Sequence, residues 1–162
     1  MDILTPKGQK TVEEENEAVA LFEKAYPSYR YLRTPKDKPS PVDAVISNEM
    51  GISGVAECKC RQMTLATLSD TFKWEWLVTG AKLTDGIAVA EALAVPFVGF
   101  LYLVPEKRLL IQRIWEPDYG YCVPVRWEET ETQATVNGGK ATRLNAFINM
   151  REAKMIEYDR AS

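Results

Sequence analysis

The chain contains no histidine. That absence removes Ser-His-Asp and Cys-His catalysis, HNH-type sites and imidazole-bound metals. Acid–base or metal work is left to carboxylates, lysine or tyrosine. Cysteine is scarce, with three residues and no CxxC pair. Neither a disulfide framework nor a zinc site is expected. Cys58 and Cys60 flank Lys59 and are expected to be reduced and buried under a helix. No apolar run approaches the length of a membrane span, and the N-terminus has no signal-peptide apolar stretch. No membrane association and a cytoplasmic setting follow as expectations. Internal repeats and low-complexity tracts are also missing. What remains is 162 residues, 46% hydrophobic and 27% charged, enough for one globular domain with a proper core.

A net charge of −3 argues against a generally sticky nucleic-acid binder. The charge is uneven, however. Lys24, Arg30, Arg33, Lys36 and Lys38 face only Asp37 over one short stretch, and Arg61 and Lys73 follow further on. A local basic surface of this kind suits a phosphate backbone. A solvated, lysine-rich loop accounts for the charge pattern equally well.

Residues 1–10 are expected to be a loose lead-in, with Pro6 and Gly8 as breakers. Thr11 is placed to cap a helix running to Ala25, with Glu13, Glu14 and Glu15 in its first turns. Alternation and turn signals then predict strands over 29–34, 42–47 and 55–62, with turns at 35–41 and 48–54. Residues 63–73 carry no clear signal. A short strand at 76–79, a helix at 82–93 and strands at 97–104 and 109–114 complete an α-β-β-β-α-β order. The fold class is α/β: a mixed sheet with helices on its faces, spanning residues 1–114. Residues 115–162 are expected to form a β-rich extension of the same domain. Asn137-Gly138-Gly139 would turn a hairpin between 132–136 and 140–148.

The candidate chemistry lies on the second and third strands. Asp43 precedes Glu57-Cys58-Lys59 by fourteen positions, room for two antiparallel strands and a turn. Strand alternation puts Glu57 and Lys59 on one face and Cys58 on the other. Paired strands would let Asp43 join that face. Two adjacent carboxylates make a hard-oxygen site suited to Mg²⁺ or Mn²⁺. A neighbouring lysine can hold a water or steady a phosphate. Glu-x-Lys alone is weak, since about one copy is expected by chance at this length. Indeed Glu152-Ala153-Lys154 matches too, in a polar stretch with no partner aspartate. The first copy differs because each acid sits in an otherwise apolar strand, which costs stability unless something compensates.

Pro41-Val42-Asp43, Glu57-Cys58-Lys59, the acidic first helix and the α-β-β-β-α-β order together resemble the PD-(D/E)XK nuclease superfamily, over roughly residues 11–114. One departure is Val42, which stands between the proline and the aspartate. The look is similar to phage-encoded members and, more weakly, to Holliday-junction resolvases. The resemblance implies a restriction-endonuclease-like core and a Mg²⁺-dependent DNA endonuclease, with Mn²⁺ as substitute. Asp43, Glu57 and the backbone carbonyl of Cys58 would ligate the metal. Lys59 would orient or help deprotonate the attacking water. Many members add a glutamate from the first helix. Here the candidates are Glu14, Glu15 and Glu17, and spacing relative to Ala18, Leu21 and Ala25 favours Glu14 narrowly over Glu17.

Candidate DNA contacts are Arg30, Arg33, Lys36, Arg61, Gln62 and Lys73. Trp74 and Trp76 are candidates for base stacking, for core or for a dimer contact. A homodimer would match a two-fold DNA target. The competing expectation is a catalytically silent nuclease fold that only holds DNA within a phage or replication assembly.

Overall fold

A computed structural model describes residues 5–131, 138–139 and 141–158 of the chain. The fold is α/β, and a seven-stranded mixed sheet is its central layer. One helix covers one face. A second helix and a three-stranded sheet cover the other.

Helix α1 spans Pro6–Ala25. It begins earlier than expected because Pro6 opens the helix instead of breaking it. Thr5 caps the end, its hydroxyl accepting from the Gly8 N–H at 3.0 Å. Proline fits the first helical turn because its missing N–H would have no partner there, and its φ is already helical. Glu13, Glu14 and Glu15 therefore lie in the third turn, beyond reach of the N-terminal dipole that was expected to hold them.

Strands β1 (Arg30–Arg33), β2 (Ala44–Asn48) and β3 (Gly51–Arg61) pair antiparallel in sequence. The β2–β3 turn is tighter than expected, with Asn48 paired to Gly51 and the Asn48 side chain accepting from the Met50 N–H. Gly51 has φ +117°, a backbone that residues with a Cβ avoid. A bulge near Ser47 absorbs one extra residue.

Strand β4 (Glu75–Thr79) leads into α2 (Gly80–Leu93), which crosses over to β5 (Phe97–Leu103), parallel to β3. Strand β6 (Arg108–Glu116) returns beside β5, and a short β7 (Gly120–Tyr121) folds onto it. Strand β5 is buried almost throughout because both of its faces are covered. Ala56, Cys58, Phe100 and Tyr102 pack towards α1, whereas Val55, Phe97, Leu101 and Leu103 pack towards α2. Cys58 is buried as expected, and Cys60 only half so.

The C-terminal segment is β-rich but not a simple appendage. Strands β8 (Val125–Glu131) and β9 (Thr142–Asn149) pair with each other, and β9 also pairs with β4. Residues 132–136, expected as a hairpin arm, lie outside the described residues. Strand β10 (Lys154–Glu157) adds to the central sheet beside β6, at its edge. Ala146, Ile148 and Met150 are fully buried against Trp76, Val78 and Leu83, so the segment completes the core that α2 begins. No helix among the described residues is long and apolar enough to cross a membrane.

Close approach leaves no room for a side chain at Gly99, where a Cβ would sit 2.6 Å from the Trp76 ring and 2.7 Å from Ile114 Cδ1. Gly99→Ala is expected to lower stability by about 1–3 kcal/mol, the usual range for overpacking a core. The check is a lower denaturant midpoint at unchanged slope; an unshifted midpoint would refute the packing account.

Candidate active-site cleft

Asp43 sits one residue before β2, at the end of a loop that runs from Thr34. Its N–H donates to the Ala56 carbonyl at 2.9 Å, and its own carbonyl accepts from the Thr34 N–H at 2.9 Å and hydroxyl at 3.0 Å. Strand β3 continues past the start of β2. There the Cys58 N–H donates to Asp43 Oδ2 at 2.8 Å. A side-chain oxygen thus stands in for the missing strand, and the carboxylate is oriented by the backbone of the strand that carries Glu57.

Glu57 is the most deeply buried acid among the described residues, 1% exposed in the middle of β3. Both of its oxygens are buried, and neither has a well-aligned hydrogen bond. The charges nearest to it are ammonium groups. Lys59 Nζ lies 3.3 Å from Oε1, on the shared strand face that alternation dictates. Lys82 Nζ lies 3.8 Å from Oε2 and also 3.8 Å from Asp43 Oδ1. Burial first, and then the Asp43 charge, push the Glu57 carboxyl up to about 7, against the pull of Lys59 and Lys82.

Lys82 was not singled out from sequence. Its signal was available: it stands in the first turn of α2, where a positive charge opposes the helix dipole and so calls for a partner. Its ammonium group donates to the Ser40 carbonyl at 3.1 Å, tying α2 to the loop before Asp43.

Asp43, Lys59 and Lys82 open into a cleft of about 300 Å³, lined also by Thr11, Glu15, Lys36 and Lys38, while Glu57 lies buried against Lys59 and Lys82 outside the lining. The helix glutamate in this lining is Glu15, not the favoured Glu14. The buried stripe of α1 comprises Glu15, Ala18, Val19, Leu21 and Phe22, so the inward face is centred one residue later than the spacing to Ala18 and Leu21 suggested. Glu15 is held by Lys36, 3.1 Å from Oε2, and by Arg33 at 3.8 Å. Glu14 instead accepts from Gln62 Nε2 at 2.9 Å. Glu17 accepts from the Tyr102 hydroxyl at 2.7 Å and lines a separate, more apolar hollow of about 430 Å³ that holds none of Asp43, Glu57 or Lys59.

The expected basic surface is divided. Lys36 reaches the cleft, and both it and Arg33 are engaged by Glu15. Arg30 lies 4.0 Å from Glu23 and donates to the carbonyls of Pro27 and Tyr29. Arg61 and Lys73 line another hollow, considered below. Trp76 is core, 3% exposed, whereas Trp74 precedes β4 in a left-handed conformation and does not share its strand face.

The donor set suits Mg²⁺ or Mn²⁺. Among the described residues no group of three or more acidic, cysteine or histidine side chains gathers as a metal cage. Mg²⁺ does not need one: it binds through one or two carboxylates and keeps several waters. Asp43, oriented by the Cys58 N–H, and Glu57 are the two carboxylates that could hold it.

A carboxyl raised in the folded state binds its proton more tightly there than in the unfolded chain. Its stabilising contribution is complete below about 4.5 and is lost as pH rises through about 7. In metal-free buffer Glu57→Gln is therefore expected to exceed the wild type in stability by on the order of 2–3 kcal/mol at pH ~8, with the gain vanishing towards pH ~4. Denaturant melts across that range check this; parallel pH profiles for the two proteins would contradict it.

No family model matches the chain, and no match was found among curated proteins or solved structures. Its chemistry rests on the geometry of this cleft.

Proposed function

We propose that the chain is a divalent-metal-dependent deoxyribonuclease of PD-(D/E)XK type, with α1-β1-β2-β3-α2-β5 as its catalytic core. The observation that carries the reading is Glu57: a carboxylate 1% exposed, set beside a second acid, Asp43, with the ammonium groups of Lys59 at 3.3 Å and Lys82 at 3.8 Å as its charge partners. A purely structural acid at this depth would be expected to be paired without a second carboxylate beside it.

Asp43 and Glu57 would hold Mg²⁺ or Mn²⁺, with the Cys58 carbonyl as a further ligand. When bound, the metal would supply a polarised phosphoryl oxygen and a water of lowered pKa. The chain's own residues supply the rest. The Cys58 N–H orients Asp43. Lys59 is exposed enough to meet a ligand while staying against Glu57, so it can position the attacking water or neutralise charge on the phosphoryl group. Lys82 bridges the two carboxylates and offsets their repulsion. Glu15 and Lys36 line the cleft as well, with Arg33 behind Glu15 at 3.8 Å.

The test is incubation with a panel of DNA forms, including branched, flapped, single-stranded and circular duplex. With Mg²⁺ or Mn²⁺ at least one form should be cut. Asp43→Asn and Lys59→Ala should each lower the rate by at least about 100-fold. Cleavage of none of the forms, or cleavage that survives both substitutions, would end the proposal.

The silent-scaffold reading draws on one observation: Arg33 and Lys36 are already engaged by Glu15. Mn²⁺ titration separates the two readings. The catalytic reading expects binding that is lost in Glu57→Ala, and no binding in the wild type favours the scaffold.

A further inference from the structure

Strand β3 presents Glu57, Lys59 and Arg61 on one face in succession. Arg61, one alternation beyond Lys59 and so roughly 6.5 Å along the strand, enters a second hollow of about 500 Å³. The hollow differs in kind from the charged cleft at Asp43 and Lys59. Trp76 and Leu101 are buried in its lining, and Phe147 contributes a further ring. Phe72 and Leu77 also line it yet are 46% and 41% exposed, leaving apolar surface uncovered at the mouth.

Its charges are of two sorts. Arg126 is committed to the protein: Nε and Nη2 each donate to Glu75 at 3.0 Å, and the guanidinium lies 4.2 Å over the Phe147 ring. That arrangement fixes a flat wall. Arg61 and Lys73 have no carboxylate partner among the described residues. Arg61 donates to the Cys60 carbonyl at 3.2 Å and Lys73 to the Asp70 carbonyl at 2.7 Å, so both keep their full charge beside the hollow.

Two further features single out this place. Trp76 Nε1–H is the one buried side-chain N–H without an acceptor among the described residues. The segment leading to β4 is also strained. A π-helical turn at Thr67–Thr71 is followed by Lys73 at φ 52° and Trp74 at φ 66°, consecutive non-glycine residues in the left-handed region. Such conformations persist where surrounding structure enforces them, and they gather at binding sites.

We propose that this hollow receives an unpaired nucleobase of the DNA strand whose neighbouring phosphate lies at Asp43, Glu57 and Lys59. The substrate is then single-stranded or locally unpaired DNA, not intact duplex. Flat, apolar walls accept any base by its face. Unpaired Arg61 and Lys73 suit the adjoining phosphates, whereas an apolar peptide segment would leave those charges unmet. A hollow of this size holds one base comfortably. The step from Lys59 to Arg61 is within reach of one nucleotide of an extended strand. In duplex DNA the base faces are already stacked and cannot reach these walls.

The proposal rests on the nuclease reading for the identity of the strand, but binding needs no hydrolysis. The experiment is fluorescence anisotropy in EDTA with a labelled single-stranded oligonucleotide and a blunt hairpin duplex, using wild type and Phe72→Ala. Phe72 is half exposed, and circular dichroism checks that the variant folds. Wild type should bind the single strand more tightly than the duplex. Phe72→Ala should weaken single-strand binding by about tenfold and leave duplex binding unchanged. Equal affinity for the two DNAs, or a substitution that affects both or neither, overturns the proposal. Mg²⁺-dependent cleavage is scored separately. Cleavage without the Phe72 effect removes the hollow and keeps the catalytic reading. The Phe72 effect without cleavage in any divalent metal does the reverse.

Discussion

A carboxylate buried in the middle of a central strand is the constraint around which the rest of the cleft is arranged. Glu57 is almost wholly screened from solvent, and its nearest opposite charges are two ammonium groups. Isolated, such a charge is so costly that the group holds its proton instead. The protein answers with charges brought from separate elements. Lys59 comes from the same strand face, Lys82 from the start of α2 and Asp43 from the loop before β2. Asp43 adds a second negative charge, which makes the arrangement worse for stability and better for holding a cation. A buried carboxyl raised by burial and by a neighbouring charge, as Glu57 is, is a feature found preferentially at functional sites.

Holding those groups in place is the work of the covering layers. Helix α2 starts hard against β9: a Cβ on Gly80 would sit 2.7 Å from the Leu144 carbonyl. That contact sets where Lys82, two residues on, enters the cleft. The C-terminal strands therefore take part in the site's geometry, through the small sheet they form with β4. On the other face α1 packs Ala18, Val19 and Phe22 against the sheet and so delivers Glu15 to the cleft. Two cavities with different chemistry then follow from one strand: a charged one at Lys59, lined also by Asp43 and Lys82, and an aromatic one beginning at Arg61.

Much of this could be seen in the chain. Alternation placed Glu57 and Lys59 together, and the hairpin spacing brought Asp43 beside them, because strand geometry has a period of two that local sequence displays. The α1 start was misjudged because Pro6 breaks a helix interior but favours a first turn. Glu14 was preferred to Glu15 because an apolar stripe read from three residues has an angular uncertainty as large as one position. Strands β8 and β10 escaped notice since both are edge strands and largely polar, and β10 is only four residues long, with a partner, β6, far away in sequence.

The sequence by itself determined the chemical repertoire. Without histidine or paired cysteines, only carboxylates and lysines remained, and apolar strands marked which of them would be buried. Tertiary structure decided the assembly: which helix glutamate enters the cleft, that Lys82 joins the two acids, and that Arg61 leaves them for an aromatic hollow. The physical reason is range. Burial and alternation are local properties of a strand, whereas the charge partners of a buried acid are set by how separate elements pack, and no local pattern encodes that.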